Sequence, residues 1–245
     1  MIKIKTPKIP SEQRMKQVAT DWFKIHEKIN FLEWNDSLKE VSYPFHSFKI
    51  DGQLCIDCLN NVGGHNEIIE IINSEVKKSG WENSFFIKLI TRSPKDFLDG
   101  ESFELKYGEQ ATQAIFNSMR CFEDLCLLFY LDKCIFIVRP YIEIPKEREF
   151  RVFVRDNKIV GISQYHYFEE YKWIVDNSNS IESRIRNFVD NVVNSNIDLD
   201  NYVADIVLED NKEILLELNP YGLSDPCIFK QYDKLNGEFV YLKNL

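Results

Sequence analysis

The stretch LLELNPYG, residues 215–222, carries two oxygen-bearing side chains on an otherwise apolar run. Glu217 and Asn219 are two residues apart, so in a β-strand they share one face, while Leu216 and Leu218 point to the other face. Such an arrangement costs stability unless a charged group lies against it. Because carboxylate and amide oxygens are the hard ligands that Mg²⁺ prefers, the spacing predicts part of a metal site.

A third ligand is available from the preceding run, NYVADIVL. The two runs flank a turn near residues 210–212 and therefore predict an antiparallel hairpin. With a three-residue turn, Asp205 lies directly opposite Glu217, at a Cβ separation of about 4.5–5.5 Å, where two carboxylates repel unless a cation lies between them. A two-residue turn instead places Asp205 opposite Leu216 and breaks the site. The alternative interpretation is a pair of exposed acids on an edge hairpin.

A second hairpin is predicted by EFRVFVRDNKIVGISQY, which turns around Asp156 and Asn157. A two-residue turn places Glu149 opposite Gln164, and Arg151 then shares their face. These side chains suit a polar ligand, with Glu149 for hydroxyl groups and Arg151 for phosphate oxygens. A solvated outer face with a salt bridge is the alternative.

Two basic residues interrupt apolar strand-like runs. Lys88 lies within FFIKLIT, where it either extends its ammonium group from a strand edge to solvent or points into a cleft and neutralises phosphates. Arg139, between IFIV and PYIEI, poses the same choice. Pro140 after it indicates a connection between layers rather than a central strand position.

The remaining patterns supply the elements that must position these residues. Ser11 precedes an amphipathic helix with apolar residues at Met15, Val18, Trp22, Ile25 and Ile29. Asp51-Gly52 predicts a hairpin. Further helices are expected after Asn66, where Gly80 ends the helix, and around residues 111–119, 123–131 and 181–192. A change of composition near residue 80 is the best candidate boundary.

Composition limits the classes of function. The net charge of −9 and the absence of a basic face disfavour nucleic acid as a partner. No apolar run approaches the roughly 20 residues of a membrane span, and the basic start of the sequence lacks the apolar stretch and cleavage site of a secretory signal, so neither is expected. Six cysteines without a disulfide-like framework favour a reducing, cytoplasmic location. Cys55 and Cys58 lack a second pair at zinc-site spacing, which favours a structural role.

The ordered segments FIKLITRSPKD, VRPYIEI, EFRVFV, IVGISQY, YVADIVL and LLELNPYGLSD resemble the cell division cycle protein 123 (D123) family, a divergent branch of the ATP-grasp proteins. The resemblance covers about residues 84–232. It implies an α+β, ATP-grasp fold with two lobes and nucleotide in the cleft between them. The expected parts are residues 1–80, forming part of the amino-terminal lobe or packing on it, the core of that lobe at 81–141, and the carboxy-terminal lobe at 142–245.

The resemblance also assigns roles to residues, with ATP and Mg²⁺ as the implied cofactors. Lys88 resembles the phosphate-contacting lysine, Glu149 the ribose-facing acid and Arg151 the phosphate-binding arginine. The implied hinge beside adenine consists of Arg139, Pro140, Tyr141 and Ile142. The implied loop near the phosphates consists of Ser93, Pro94, Lys95 and Asp96. The implied metal ligands are Asp205, Glu217 and Asn219. Tyr165 and His166 depart from the family's usual sequence, as do the first eighty or so residues.

The family's members promote assembly of translation initiation factor 2 by binding its gamma subunit. The expected function is therefore that of an ATP-binding assembly factor with a protein partner, acting as a monomer. An ATP-grasp carboxylate–amine ligase is the alternative. A ligase needs an acceptor pocket for which the sequence indicates no residues, and catalysis stays undecided.

Overall fold

A computed structural model describes residues 10–97 and 103–243 of the chain. The α-helices are α1 (Glu12–Glu27), α2 (Asp36–Glu40), α3 (Gly52–Leu59), α4 (His65–Ser79), α5 (Gly108–Asn117), α6 (Met119–Tyr130) and α7 (Lys172–Phe188), which continues through a π-helical turn (Val189–Val193) and a short helix (Asn194–Asn196). The strands are β1 (His46–Lys49), β2 (Phe85–Leu89), β3 (Ile135–Pro140), β4 (Glu149–Arg155), β5 (Lys158–Gln164), β6 (Tyr202–Leu208), β7 (Glu213–Asn219) and β8 (Phe239–Val240). Short 3₁₀ helices occur at Phe31–Glu33, Lys146–Arg148, Cys227–Phe229 and Tyr232–Lys234.

The ends of several helices follow the local sequence signals. The Ser11 hydroxyl accepts a hydrogen bond from the amide of Arg14 at the start of α1, and Gly80 ends α4 with a left-handed φ of 80°. The buried face of α1 is shifted from the predicted one, because Ala19 and Phe23 are buried while Val18 and Ile25 are exposed.

The predicted hairpin at Asp51-Gly52 is wrong. Asp51 is the N-cap of α3, and its side chain accepts a hydrogen bond of 3.0 Å from the amide of Leu54. An Asp-Gly pair serves a helix start as well as a turn, since the carboxylate satisfies a free amide in either setting. Packing of Cys55 and Cys58 into the core selects the helix.

The chain divides into two compact units. Unit 1 comprises the described residues up to Lys24 and Phe45–Tyr141, and unit 2 comprises Ile25–Pro44 and the described residues from Ile142 onward. Residues 25–44, which the expected division groups with the first eighty residues, thus lie in unit 2. Within the described residues, no helix combines the length and the apolar character that a membrane crossing requires.

Unit 1 contains an antiparallel sheet in the order β1-β3-β2. One face of the sheet packs into the core of the unit through alternate residues, among them Phe85, Ile87 and Val138. Strand β3 is central in the sheet, contrary to the expectation from Pro140. The proline is accommodated because it is the last residue of the strand, where it pairs with Phe85.

Unit 2 contains a five-stranded sheet in the order β7-β6-β4-β5-β8, antiparallel except for the parallel pair β5–β8. The predicted two-residue turn between β4 and β5 is confirmed: Arg155 pairs with Lys158, and Asp156 and Asn157 have positive φ values of 51° and 58°. Two positive φ values are what a tight hairpin turn requires. This sheet carries the candidate metal ligands.

Candidate functional site

A buried ion pair occupies the centre of the unit 2 sheet. Arg151 on β4 is directly opposite Asp205 on β6. Its Nε and Nη2 donate to Oδ1 and Oδ2 of Asp205 at 2.7 and 2.8 Å, and its Nη1 donates to the carbonyl of Asp225 at 3.1 Å. Asp205 is 1% exposed and Arg151 is 6% exposed. The arginine that the resemblance assigns to phosphate is therefore a bidentate partner of a predicted metal ligand.

Asp205 is also directly opposite Glu217 on β7, as the sequence predicts. The reason differs from the prediction. Near the turn, Leu208 pairs with Glu213, and the amide of Glu209 donates to the carbonyl of Lys212, which is the two-residue-turn register. An irregularity between Asp205 and Ile206 then shifts the pairing by one residue. The three-residue turn is wrong, and a β-bulge restores the opposition of the two carboxylates.

Asn219 completes the predicted ligand set and faces Asp205 from the same strand as Glu217. Its Nδ2 donates to Oδ2 of Asp205 at 3.0 Å, which leaves its own oxygen as an acceptor. Two carboxylates and one amide oxygen match the donors that Mg²⁺ binds. Among the described residues, no three or more His, Cys, Asp or Glu side chains are grouped so as to hold a metal ion. The candidate set depends on the asparagine.

The charges around this face fit a cation. Asp205, Glu149 and Glu217 are three carboxylates, and Arg151 is one guanidinium, so their formal charges sum to −2. Burial raises the pKa of Asp205, Arg151 opposes that rise, and the two other carboxylates add to it. The net effect is a raised pKa, because burial disfavours the charged carboxylate more than Arg151 favours it. A divalent cation would balance the remaining formal charge of −2.

Glu149 and the neighbouring loop add a second layer of contacts. The Glu149 carboxylate is 3.1 Å from Nε2 of His166, and the Tyr165 ring lies 4.7 Å from the Arg151 guanidinium carbon. The two residues that depart from the family's usual sequence thus contact two predicted site residues. Asp225, which the sequence analysis missed, holds the remaining side of Arg151. The sequence feature that could have identified Asp225 as a site residue is its position shortly after the NPYG segment.

The geometric argument for Gln164 is wrong. A bulge in β5 at Val160 shifts the register, so Gln164 pairs with Phe150 rather than with Glu149. Gln164 is fully buried on the opposite face from Arg151. Its amide donates to two backbone carbonyls of the following loop, and its Oε1 accepts from the amide of Leu242. These bonds give it a structural role, while Ser163 takes the place opposite Arg151.

The predicted residues of unit 1 lie mainly on the sheet face turned away from that unit's core. Lys88 is opposite Ile137, and Arg139 is opposite Phe86, so all four share this face. Lys88 and Arg139 are 4% and 5% exposed. Ser93 is buried in the loop after β2, and the amide of Tyr141 donates to the carbonyl of Ser84 just beyond β3. Neither cation sits on a solvated edge.

A cavity of about 520 Å³ lies within unit 2. It contains the predicted hinge residue Ile142 and also Val207, which is two residues from Asp205 on β6 and opposite Glu149 on β4. The full lining is Tyr43, Ile142, Glu143, Ile144, Pro145, Arg148 and Val207 to Lys212. Its volume is within the range of small-molecule sites, about 300–1,000 Å³. The cavity therefore borders, at Val207, the sheet face that carries the candidate metal ligands, and its lining combines apolar with charged side chains.

Comparison with known proteins places most of this site in a matched segment. The family model D123 matches residues 131–241. The chain is therefore similar to the D123 family over this segment. The segment contains Arg139, Glu149, Arg151 and the three candidate metal ligands; Lys88 and Ser93 precede it, although the resemblance seen in the sequence extends back to about residue 84.

Curated relatives named translation initiation factor eIF2 assembly protein match a similar share of the chain. The protein from Vanderwaltozyma polyspora is 31% identical over 98 residues, covering 38% of this chain and 26% of the relative. The protein from Xenopus laevis is 33% identical over 95 residues, covering 38% and 28%. The matched segment thus spans little more than a quarter of the length of these relatives.

The fold similarity extends over more of the chain. The solved structure of Cdc123 from Schizosaccharomyces pombe has a TM-score of 0.74 at 18% identity, covering 90% of this chain and 98% of that one. The expected α+β fold is confirmed, and it is the fold of that Cdc123 structure. Because this identity is low, the similarity establishes the fold and leaves function to the site.

Proposed function

We propose that this chain is an ATP- and Mg²⁺-binding assembly factor for translation initiation factor 2. The observation that carries the nucleotide part is the opposed pair Asp205–Glu217, with Asn219 beside it, on a sheet face that also borders the 520 Å³ cavity. The names of the curated relatives support the assembly part. The gamma subunit is the proposed partner, by resemblance to the D123 family.

The proposed roles follow from the contacts within unit 2. Glu217, the Asn219 oxygen and the remaining lone pair of Asp205 would hold Mg²⁺, which would neutralise phosphate charge when bound. Arg151 orients the Asp205 carboxylate and opposes the rise of its pKa, rather than contacting phosphate itself. Ile142 and Val207 offer apolar surface for the adenine ring in the cavity. Lys88, Ser93 and Arg139 are retained as candidate ligands by resemblance.

Nucleotide binding is tested by isothermal titration of the chain with ATP, with and without Mg²⁺. We expect micromolar affinity, about −8 kcal/mol at 1 μM, that depends on Mg²⁺. Glu217→Gln should remove the Mg²⁺ dependence, since it deletes one of the two facing carboxylates. Glu213→Gln, on the same strand but paired with Arg184, is the matched control and should bind as the wild type does.

The partner is tested separately by a pull-down with the purified gamma subunit of translation initiation factor 2. Retention of the wild type, weakened by Glu217→Gln and unchanged by Glu213→Gln, would support a nucleotide-dependent assembly factor. ATP binding without retention would contradict the assembly role and leave the nucleotide site in place. Release of ADP in the presence of amino acids or peptides would instead favour a ligase.

A further inference from the structure

Two loops of unit 2 each expose a large apolar side chain. Phe168, in the loop after β5, is 84% exposed, and Leu223, in the loop after β7, is 68% exposed. A hydrogen bond of 3.0 Å from the Tyr167 hydroxyl to Oδ2 of Asp225 joins the two loops. The ring centroids of Tyr167 and Phe168 lie 4.4 Å apart. These side chains form a surface, the loop patch, defined by Tyr167, Phe168 and Leu223.

The first loop is held from inside the protein. The amide of the fully buried Gln164 donates to the carbonyls of His166 and Glu169 at 2.9 and 2.8 Å, one on each side of Phe168 in the chain. A flexible loop can turn an apolar side chain away from water, whereas a fastened loop keeps it exposed. Phe168 therefore remains in solvent because the backbone around it is fixed.

The second loop is held in the same way. The carbonyl of Asp225 accepts a hydrogen bond of 3.1 Å from Nη1 of the buried Arg151. The carbonyl of Ser224, next to Leu223, accepts one of 3.0 Å from the Tyr232 hydroxyl. A partner that packs on a loop already ordered avoids the entropy cost of ordering it. Both exposed side chains thus have the property of an interface anchor, a bulky apolar group held in place before binding.

The charge around the loop patch selects the chemistry of the partner. The 165–170 and 220–226 loops contain three acids, Glu169, Glu170 and Asp225, and no Lys or Arg, so their formal charge is −3 with histidine neutral. All three acids are exposed and form an acidic rim. Such a rim attracts a basic protein segment and repels an anionic membrane surface. A two-fold contact between two copies would bring the like charges together.

We propose that the loop patch docks a protein partner through a basic segment that carries one bulky apolar side chain. The apolar side chain packs on Phe168 and Leu223, and the Lys or Arg residues beside it face the acidic rim. The inference rests on the proposed assembly role and deepens it by naming the surface that the partner contacts. It uses residues of unit 2 alone.

The test measures binding of the full chain to the purified gamma subunit of translation initiation factor 2 by biolayer interferometry. Phe168→Ala should weaken binding about tenfold and Leu223→Ala about threefold, because truncation of an interface anchor removes much of the affinity. Val62→Ala is the matched control, since Val62 is 73% exposed in a loop of unit 1. It should bind as the wild type does.

The charge of the partner is tested with Glu170→Lys. This reversal should weaken binding about threefold at low salt, and the loss should shrink at high salt because ions screen exposed charges. Glu170 is preferred to Glu169, which also lies 3.4 Å from Lys146. Tighter binding of Glu170→Lys would indicate an acidic partner and would overturn the inference.

Full affinity of Phe168→Ala for the subunit would overturn the inference and leave the assembly role in place, whereas failure of the wild type to bind would overturn both. The melting temperature of Phe168→Ala should be unchanged, and a lower value would show that the side chain packs within the fold and would overturn the inference. Flotation with phosphatidylcholine–phosphatidylserine vesicles that Phe168→Ala abolishes would assign the patch to a membrane. Dimerisation in analytical ultracentrifugation that the same variant abolishes would assign it to a second copy. Either result would overturn the inference.

Discussion

Replacing Asp205 with asparagine removes the charge that balances the buried guanidinium of Arg151. The side chain keeps its size and one acceptor oxygen, so the packing of the sheet is preserved while the ion pair is lost. Arg151 retains the carbonyl of Asp225 and the ring of Tyr165. The variant therefore tests whether Asp205 is chiefly the partner of Arg151 or chiefly a metal ligand.

The expected loss of stability is large. Removing one member of a buried ion pair costs about 3–5 kcal/mol, because the other charge is left unpaired. The two retained contacts of Arg151 place Asp205→Asn near the lower end, about 3 kcal/mol. In a chain of this size 1 kcal/mol shifts the melting temperature by roughly 2–4 °C, so Tm should fall by about 6–12 °C.

The assay is thermal unfolding followed by circular dichroism, without nucleotide. Asp210→Asn is the matched control on the same hairpin, since Asp210 is 84% exposed and pairs with Arg148 at 3.2 Å. Exposed pairs contribute about 0–1 kcal/mol, so the control should melt within about 4 °C of the wild type. A Tm for Asp205→Asn no lower than that of the control would refute the assignment of Asp205 as the charge partner of Arg151. If ATP binding is lost while the Tm is unchanged, Asp205 is chiefly a metal ligand rather than chiefly the partner of Arg151.

Three further outcomes are expected. Ile142→Trp should narrow the cavity and weaken ATP binding. It should not lower the Tm, because Ile142 is 37% exposed. Isothermal titration and thermal melting check these two outcomes. Gly108→Ala should destabilise the fold by about 1–3 kcal/mol in urea unfolding, because its Cβ would lie 2.8 Å from Oδ1 of Asn73. Burial raises the pKa of the Cys58 and Cys121 thiols to about 11, so both should resist alkylation at pH 8 until the protein unfolds. Because folding raises these pKa values, the thiols contribute their full stabilisation below their pKa in the unfolded chain. This contribution declines as the pH rises above about 8.5. Unfolding midpoints measured as a function of pH check this decline.

The sequence by itself determined the features that depend on neighbouring residues. Alternating apolar residues predicted the strands of unit 2, Asp156-Asn157 predicted a two-residue turn, and Gly80 predicted the end of a helix. It also placed Glu217 and Asn219 on one strand face, because side-chain direction along a strand repeats every two residues.

Tertiary structure decided which strands meet and in what register. A bulge adds one residue without changing the local pattern, so the shifts that opposed Asp205 to Glu217 and separated Glu149 from Gln164 could not be predicted from alternation. The pairing of Arg151 with Asp205 could not be predicted from alternation either, because the two residues lie 54 positions apart in the chain. Local propensity fixes the direction of a side chain along its own strand, but packing between distant strands determines the charge that it faces.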